Sequence, residues 1–484
     1  MQPHTFLWHD YETFGSDPRH ARPAQFAAVR TDADLNEIQE PLMLYCQPAP
    51  DFLPDPKACL ITGIMPQDCL ARGLPEYQFA ARIEAELAHA NTIGVGYNTI
   101  RFDDEVTRFM LWRNLMDPYA REWQNGCGRW DLLDVMRAAY ALRPEGLEWP
   151  SHADGTASFK LGDLCAANGL LHEAAHDALS DVRATIALAR TLKLAQPRLF
   201  EFCLGLHRKD RVLAELGLPS RLREARPFWH VSGMFGADRG CLALMWPLAM
   251  HPNNKNELLA WDLAHNPQVL AELHADEIRQ RLFTKATELP AGVPRLPVKS
   301  IHLNRSPMVF GKLRVVSGAL AKRWGMDVDA QLAHASLARD LPDMSEIWPA
   351  VFSARASVAR DVDEDLYGGF VGDHDRRRLQ SLRQLAPSEL ALDPTGFDDE
   401  RLAELVWRYR ARNFPQSLAP QEAVQWKRHL QEIWGHLPGV SQRPRTMESV
   451  LEEISRMGLH ASGRDSHVLA NLEGYIRSLA STQG

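Results

Sequence analysis

The chain has 484 residues, of which 45% are hydrophobic and 24% are charged. This length exceeds what one hydrophobic core usually holds, so two or three domains are expected. No segment is long and apolar enough to cross a membrane, and the N-terminal sequence lacks the pattern of a signal peptide. Seven cysteines without a C-x-x-C pair indicate reduced thiols, so we expect a cytoplasmic protein without structural disulfides or a cysteine-based zinc site.

The formal net charge of −8 disfavours a nucleic-acid partner at first sight. The local field decides such binding, however, and basic side chains cluster in residues 207–211, 221–226, 375–378 and 407–412. Each cluster alone is more typical of a solvated helix face. The last cluster interleaves Trp407 and Tyr409 with arginines, and this pattern favours a surface that stacks bases and binds phosphates of a single strand.

The segment TFLWHDYE at residues 5–12 predicts a buried strand, because it is rich in aromatic and apolar residues. The two-residue period of a strand places Asp10 and Glu12 on one face, where both carboxylates reach the same ion. The pair alone is weak evidence, since Asp-x-Glu recurs at Asp103/Glu105 and at Asp398/Glu400. On a buried strand, however, two acids are costly unless they are paired or bind a metal.

The next elements are strands at 24–31 and 41–48, a helix at 76–90 and a strand at 91–98. A turn and an amphipathic helix follow, with Asp103 and Asp104 in the first helical turn. Acids there interact favourably with the helix dipole, so one of the two is expected to serve only the helix. A metal-binding role for Asp103 therefore depends on which side chains surround it.

Helices at 131–142, 160–168 and 181–194 complete an α/β layer fold, with Gly169 as a helix C-cap. The last helix begins within AHDALSD, so that Asp181 lies about one and a half turns in and His176 precedes or opens it. Such residues are commonly capping or dipole partners. The spacing also suits a proton acceptor on the approach to the helix and a metal anchor on its rigid body.

Beyond residue 196 the pattern changes twice. Between 197 and 354, β-type runs alternate with helical stretches and occupy residues 227–235, 241–250, 256–264 and 297–304. From 355 onward the pattern is helical, with residues 363–370 as a loop. The expected domains are therefore 1–196, 197–354 and 355–484.

Four carboxylates and one histidine thus come from three distant segments: Asp10, Glu12, Asp103, His176 and Asp181. Acids gathered into one site repel one another unless cations neutralise them, so such a site is suited to divalent metal. A nearby histidine can take a proton from water. The chemistry that fits this set is phosphodiester hydrolysis by the two-metal route.

These residues lie in strings that resemble the DEDDh exonuclease superfamily and, within it, the bacterial exonuclease I family. The strings of the first 196 residues are HDYETFG, GYNTIRFDDEVTR, RWDLLDVMRAAYALRPEG and AHDALSD. Later strings extend the resemblance over nearly the whole chain, namely HVSGMFGA at 230–237, PLAMHPNNKN at 247–256 and YRARNFP at 409–415. The resemblance implies an RNase H-like exonuclease core with a mixed β-sheet and flanking helices. An SH3-like β-rich domain and an α-helical C-terminal domain would follow.

The resemblance also implies an activity and a set of roles. The activity is 3′→5′ degradation of single-stranded DNA to 5′-mononucleotides, in DNA repair and recombination. Asp10, Glu12 and Asp181 would ligate two Mg²⁺ ions, for which Mn²⁺ substitutes, and Asp103 would complete the acidic set. His176 would activate water, and Glu12 would also contact the terminal nucleotide.

Other substrate contacts follow from the same resemblance: Lys160, Arg108, Tyr119, Trp123, Arg137 and Lys209. Lys160 stands where the family has an arginine, so the bidentate contact with phosphate is lost while the charge is kept. Arg226 stands where the family offers a lysine to the acidic C-terminal tail of single-stranded-DNA-binding protein. A monomer is expected.

Three alternatives stay open from the residues alone. The same metal chemistry serves an RNA-trimming enzyme, because selection of the 2′-hydroxyl depends on the pocket. A non-enzymatic binding module would keep the fold without activity. A proofreading domain would act within a larger polymerase assembly, although the extensions after residue 196 include no polymerase region.

Overall fold

The computed structural model describes residues 4–171, 177–218, 224–353, 360–390, 396–435 and 445–481. Its strands in chain order are β1 Thr5–Thr13, β2 Pro23–Thr31, β3 Leu42–Tyr45, β4 Thr92–Gly96, β5 Gly128–Asp131, β6 Phe228–Val231, β7 Leu242–His251, β8 Asn254–Asp262, β9 Val298–His302 and β10 Met308–Phe310.

The first nine α-helices in chain order are α1 Pro56–Thr62, α2 Pro66–Arg72, α3 Glu76–Leu87, α4 Asp103–Arg113, α5 Leu132–Leu142, α6 Leu161–Ala167, α7 Ala178–Ala195, α8 Pro197–Gly205 and α9 Lys209–Leu216. The remaining ones are α10 Ala275–Phe283, α11 Gly318–Arg323, α12 Val328–Arg339, α13 Ile347–Val351, α14 Asp373–Leu382, α15 Arg401–Asn413, α16 Pro420–Ile433, α17 Met447–Gly458 and α18 Arg464–Ser481. None of the described helices combines the length and the apolar character that crossing a bilayer requires.

Contacts divide the chain into two units. The first takes Met1–Gly128, His172–Arg183 and Ala359–Gly484, and the second takes Arg129–Leu171 and Ala184–Val358. The predicted helical segment at the C-terminus therefore shares a unit with the N-terminal strands.

The sheet of the first unit is mixed and has β1 at its centre. Strand β1 pairs antiparallel with β2 from Phe6 opposite Thr31 to Thr13 opposite Pro23, and β2 pairs antiparallel with β3. On its other side, β1 pairs in parallel with β4. The predicted strands and the helices at 76–90, 131–142, 160–168 and 181–194 are confirmed, with bounds that differ by a few residues.

Two apolar clusters of the first unit join segments that are far apart in sequence. One packs Phe14, Leu53 and Cys69 against α16, α17 and α18 through residues such as Trp426 and Leu472. The other cluster packs the apolar face of α4 against residues 362–366 and against α14 and α15. Burial of this size is the main favourable term in folding, so the C-terminal helices are part of the core that supports β1.

The second unit contains an antiparallel sheet in the order β10-β6-β7-β8-β9. Trp229, Trp246 and Trp261 lie in successive strands of this sheet and are buried. In the same unit, Gly169 follows α6 with φ of +65°, and its amide and that of Leu170 bond back to the last helical turn. This is the C-cap that the sequence predicts.

Candidate active site

The C-terminal half of the central strand β1 carries the first two predicted acids. Asp10 lies opposite Ala27 and Glu12 lies opposite Gln25 in the pairing with β2, so the two carboxylates point to the same face. The parallel pairing with β4 ends at Trp8 opposite Val95. Asp10 and Glu12 therefore lie beyond the part of β1 that pairs with β4.

Helix α7 brings the third acid to this place. One carboxylate oxygen from each of Asp10, Glu12 and Asp181 lies within 4.8 Å of the other two. Residues 171 positions apart thus converge as the spacing argument predicts. Three oxygen ligands at this separation suit a hard divalent cation such as Mg²⁺ or Mn²⁺.

The fourth acid, Asp103, is the first residue of α4 and is 3% exposed. Its Oδ1 accepts a hydrogen bond from the backbone amide of Tyr11, at 3.1 Å, on the strand position between Asp10 and Glu12. The hydroxyl of Thr107 donates to the Asp103 carbonyl at 2.8 Å and lies 3.0 Å from the Tyr11 hydroxyl. These contacts fix the start of α4 against β1, so Asp103 belongs to the same acidic set.

The neighbouring acid, Asp104, has a different partner. Its carboxylate pairs with Arg121 at 2.7 Å, and both side chains are almost fully buried. Of the two acids in this turn, Asp104 is therefore the structural one, although its partner is an arginine and not the helix dipole alone.

His9 precedes Asp10 on strand β1 and is buried. Loss of hydration lowers the pKa of its imidazole to about 4, so His9 is neutral at physiological pH.

The carboxylates of Asp10 and Glu12 lie in the negative field of neighbouring acids. Loss of hydration, followed by repulsion from Asp181 and Asp103, raises the pKa of Glu12 to about 8. Burial, Asp103 and Glu12 raise the pKa of Asp10 well above its ordinary value. The charges that dominate these shifts are all carboxylates. A bound divalent cation would relieve this repulsion, and so the donor set fits the metal that the sequence predicts.

One acid of this region was missed by sequence reasoning. The Asp177 carboxylate adds to the negative field at Asp10 and Glu12, and its Oδ1 accepts the backbone amide of Ser180 at 3.0 Å at the start of α7. Its position in AHDALSD, between two predicted site residues, was the available signal. The predicted base, His176, lies outside the described residues.

The predicted DNA contacts of the first unit differ in exposure. Trp123 is 68% exposed, whereas Arg108 is 3% exposed. The Arg108 guanidinium donates to both oxygens of Glu122, at 2.7 and 2.8 Å, and to the Tyr367 hydroxyl at 3.0 Å. It also lies over the ring of Tyr119. Arg108 is thus already paired with acid, and its role as a phosphate contact stays a prediction.

Three predicted contacts lie in the second unit. Arg137 pairs with Asp134 at 2.8 Å and lies against Gly233, where even a β-carbon would meet the guanidinium. Lys209 opens α9 and donates to Asn256 at 2.5 Å. Lys160 is exposed at the residue before α6.

The predicted partner contact, Arg226, also lies in the second unit. It is exposed two residues before β6. An exposed guanidinium is available to an acidic peptide, and its role in binding one stays a prediction.

The interpretation of WRYRAR as a DNA-binding surface is wrong. Tyr409 is 5% exposed, and Arg408 and Arg410 are buried. Arg410 pairs with Glu422 at 2.8 Å, and Arg412 pairs with Asp51 at 2.6 Å. Arg408, Arg410 and Arg412 pair with acids of their own unit, so their charge is already matched within the protein.

Comparison with known families accounts for all three parts of the chain. The family described as "Exonuclease" matches residues 7–189, the "Exonuclease I SH3-like domain" matches 207–354, and the "Exonuclease I C-terminal domain" matches 360–479. Exodeoxyribonuclease I of Escherichia coli K12 is 45% identical over 436 residues, which cover 90% of each chain. The chain belongs to the exonuclease I family. It is accordingly an exodeoxyribonuclease, with the exonuclease core, SH3-like domain and helical C-terminal domain that the sequence predicts.

Solved structures of the exonuclease I family agree over the whole length. Exonuclease I from Methylocaldum szegediense superposes with a TM-score of 0.91 at 42% identity and covers 98% of this chain and 99% of its own. E. coli exonuclease I in complex with a dA16 oligonucleotide has a TM-score of 0.91 at 41% identity, with coverage of 98% and 100%. A solved ExoI/SSB-Ct complex is similar at a TM-score of 0.90 and 41% identity, with coverage of 99% and 100%.

Proposed function

We propose that this exonuclease degrades single-stranded DNA from the 3′ end, releases 5′-mononucleotides and serves DNA repair and recombination. The observation that carries the proposal is the convergence of Asp10, Glu12 and Asp181 within 4.8 Å in a chain of the exonuclease I family. Structures of E. coli exonuclease I with a dA16 oligonucleotide and with ssDNA are similar to this chain. The chemistry of the site and the substrate of the relative thus favour the same reaction.

Asp10, Glu12 and Asp181 would hold two Mg²⁺ ions, and Asp103, fixed by the Tyr11 amide, would complete the set. Mn²⁺ would substitute, because both ions prefer oxygen ligands. When bound, the two cations would lower the pKa of the attacking water and stabilise the charge on the attacking and leaving oxygens.

His176 would accept the proton of the attacking water, since a neutral imidazole is a base at physiological pH. Asp177, the residue after it, caps α7, because its Oδ1 accepts a hydrogen bond from the Ser180 amide. Glu12, held on β1, would also contact the 3′-terminal nucleotide.

Exposed aromatic side chains of the first unit would form a surface for unpaired bases. Trp123 is 68% exposed and Phe370 is 94% exposed, while Tyr367 packs edge-on against Phe109 and holds Arg108 through its hydroxyl. Stacking on aromatic rings is worth about 1–3 kcal/mol per base and requires bases that are not paired. Such a surface favours single strands over duplex. Arg137, Lys160 and Lys209 would contribute contacts from the second unit.

A time course with oligonucleotides labelled at the 3′ or the 5′ end tests this function. Single-stranded DNA, duplex DNA and single-stranded RNA of one sequence are compared, with Mg²⁺ and with EDTA. We expect rapid loss of the 3′ label as mononucleotide from single-stranded DNA only, and none with EDTA. Release of the 5′ label first, or equal degradation of RNA, would contradict the proposal. The Asp10→Asn/Glu12→Gln double variant controls for contaminating nucleases.

We also propose that Arg226 binds the acidic C-terminal tail of single-stranded-DNA-binding protein. Its exposure before β6 and the solved ExoI/SSB-Ct complex of a relative support this partner. A titration with the tail peptide should give at least about tenfold weaker binding for Arg226→Ala, because an arginine–carboxylate contact is lost. Arg377→Ala, which removes an exposed arginine of α14, should bind the peptide normally.

A further inference from the structure

A second cluster of ligand atoms lies in the helical C-terminal region of the first unit. The Nδ1 atom of His374 is 3.3 Å from Oδ1 of Asp375 and 3.4 Å from Oδ2 of Asp398. His374 and Asp375 are the second and third residues of α14, and Asp398 lies three residues before α15. The three side chains offer one nitrogen and two oxygens, all within 4.8 Å of one another.

The separations of His374 Nδ1 from the two carboxylate oxygens match the edge of a coordination tetrahedron. Ligands bound to Zn²⁺ at about 2.05 Å in a tetrahedron lie about 3.3 Å apart. Neighbouring ligands of an octahedral Mg²⁺ at about 2.1 Å would lie about 3.0 Å apart, and Mg²⁺ also prefers oxygen to imidazole nitrogen. Both the donor atoms and their spacing therefore favour zinc.

The burial of Asp375 is a second and independent indication of a cation. Five of the other buried carboxylates in the described residues form ion pairs with arginine, namely Asp51, Glu76, Asp104, Asp262 and Asp363. Asp375 is fully buried, and in the described part of the chain its ion-pair partner is not an arginine or lysine but His374, which is charged only when protonated. Its two oxygens accept the backbone amides of Asp398 and Asp399, at 3.1 and 3.0 Å. Buried charges in proteins are paired or coordinate metals.

We propose that His374, Asp375 and Asp398 form a zinc site with water as the fourth ligand. The amides of Asp398 and Asp399 orient the Asp375 carboxylate, as outer-shell hydrogen bonds do in zinc sites. The side chains of His374 and Asp398 are 58% and 79% exposed, so the ion and its water are reached from solvent. The site carries none of the catalytic acids, and its role is to tie the start of α14 to the turn before α15.

Zinc analysis of the full-length protein tests the proposal, with the affinity tag removed and with Asp10→Asn/Glu12→Gln present to weaken the active site. After equilibration with Zn²⁺ and dialysis, we expect one zinc per chain by elemental analysis. X-ray absorption should show one nitrogen and the remaining oxygens at about 2.0 Å. Adding His374→Ala or Asp398→Ala should weaken zinc binding at least about 100-fold, since each removes one of three protein ligands.

His460→Ala is the matched control, because it removes an exposed histidine elsewhere in the same unit. It should keep the zinc. His374→Ala alone should keep its circular dichroism and its Mg²⁺-dependent nuclease activity within about twofold. Zinc binding that is unchanged by both His374→Ala and Asp398→Ala would overturn the proposal. The proposal would also be overturned if the Asp10→Asn/Glu12→Gln protein, with His374 and Asp398 intact, bound no zinc at micromolar concentration.

Discussion

Two sets of buried acids in the first unit have opposite electrostatics. At the active site, Glu12 is surrounded by other carboxylates, and loss of hydration together with this repulsion raises its pKa to about 8. In the contact between the N-terminal region and α15, burial acts on Asp51 as well. There Arg412 outweighs it and lowers the pKa of Asp51 to about 2. Burial is common to both sets, so the sign of the neighbouring charge decides the outcome.

This difference in neighbouring charge distinguishes acids that form structural ion pairs from acids that are suited to bind a cation. Asp363 contacts Arg412 and Arg408, and these two guanidiniums lower its pKa far below the ordinary value despite its burial. An acid that the protein has already neutralised gains little from a metal ion. An acid set whose neighbours are also acids gains much, and therefore the active-site set is the one suited to bind metal.

The largest expected effect comes from removing a proposed metal ligand of the active site. Asp181→Ala should lower the Mg²⁺-dependent cleavage rate about 10⁴-fold, because it disturbs the cations and with them every charge-stabilising contact. The measurement is mononucleotide release from a 3′-labelled single strand. Glu37→Ala, which removes an exposed acid of the same unit, should keep full activity. Full activity of Asp181→Ala would show that the ligand set is misassigned.

The next largest effect on the cleavage rate is expected from removing the proposed general base, His176. His176→Ala should lower the rate by about 10²–10⁴-fold, the usual range for general-base catalysis. The wild-type rate should rise over the pH range in which His176 loses its proton and becomes able to accept one. The variant should lose this rise. A variant whose pH profile matches the wild type would assign the proton to another group.

Local sequence pattern sufficed for much of the fold and of the site. Strand periodicity placed Asp10 and Glu12 on one face of β1, and the helical pattern placed Asp181 on α7, because these features depend on neighbouring residues. The pairing of distant segments needed more. That Asp103 and not Asp104 faces the site depends on Arg121, seventeen residues further on, and no local rule selects this partner.

The basic clusters show the limit of composition more clearly. WRYRAR predicted a DNA surface, yet Arg412 lies against Asp51, which is 361 residues away. A run of arginines has the same sequence signature whether it faces phosphate or buried carboxylate. The helical segment from 355 onward also shows this limit. Its periodicity predicts the helices, but it does not predict that α16, α17 and α18 pack on Phe14 and Leu53 next to strand β1.

The arginine-paired acids near α15 should affect stability when one of them is removed. Asp363→Ala removes one of the carboxylates that neutralise the buried Arg408 and Arg412 and should lower the free energy of unfolding by up to about 3–5 kcal/mol. Glu404 also pairs with Arg408, but its side chain is 53% exposed, so Glu404→Ala should cost less than about 1 kcal/mol. Urea denaturation measures both. Equal losses for the two variants would mean that burial does not distinguish these pairs.

The smallest predicted effect is a gain in stability, because Glu12→Gln relieves the repulsion between carboxylates in metal-free protein. In metal-free protein the folded state holds the Glu12 proton up to a pH of about 8, whereas an unfolded glutamic acid releases it near its ordinary value of about 4.5. Between these values the folded state binds more protons, so Glu12 lowers stability as the pH rises. Glu12→Gln cannot ionise and should escape this loss.

In EDTA at pH 8, Glu12→Gln should therefore melt about 1–3 °C above the wild type, and at pH 4 the two should melt together. Mg²⁺ should reverse the order at pH 8, because it stabilises the ionised carboxylates of the wild type and has one ligand fewer in the variant. Differential scanning calorimetry with and without Mg²⁺ measures both effects. Glu12→Gln that destabilises the metal-free protein at pH 8 would show that the Glu12 carboxylate is neutralised by a protein group, and the contrast with Asp51 would then fail.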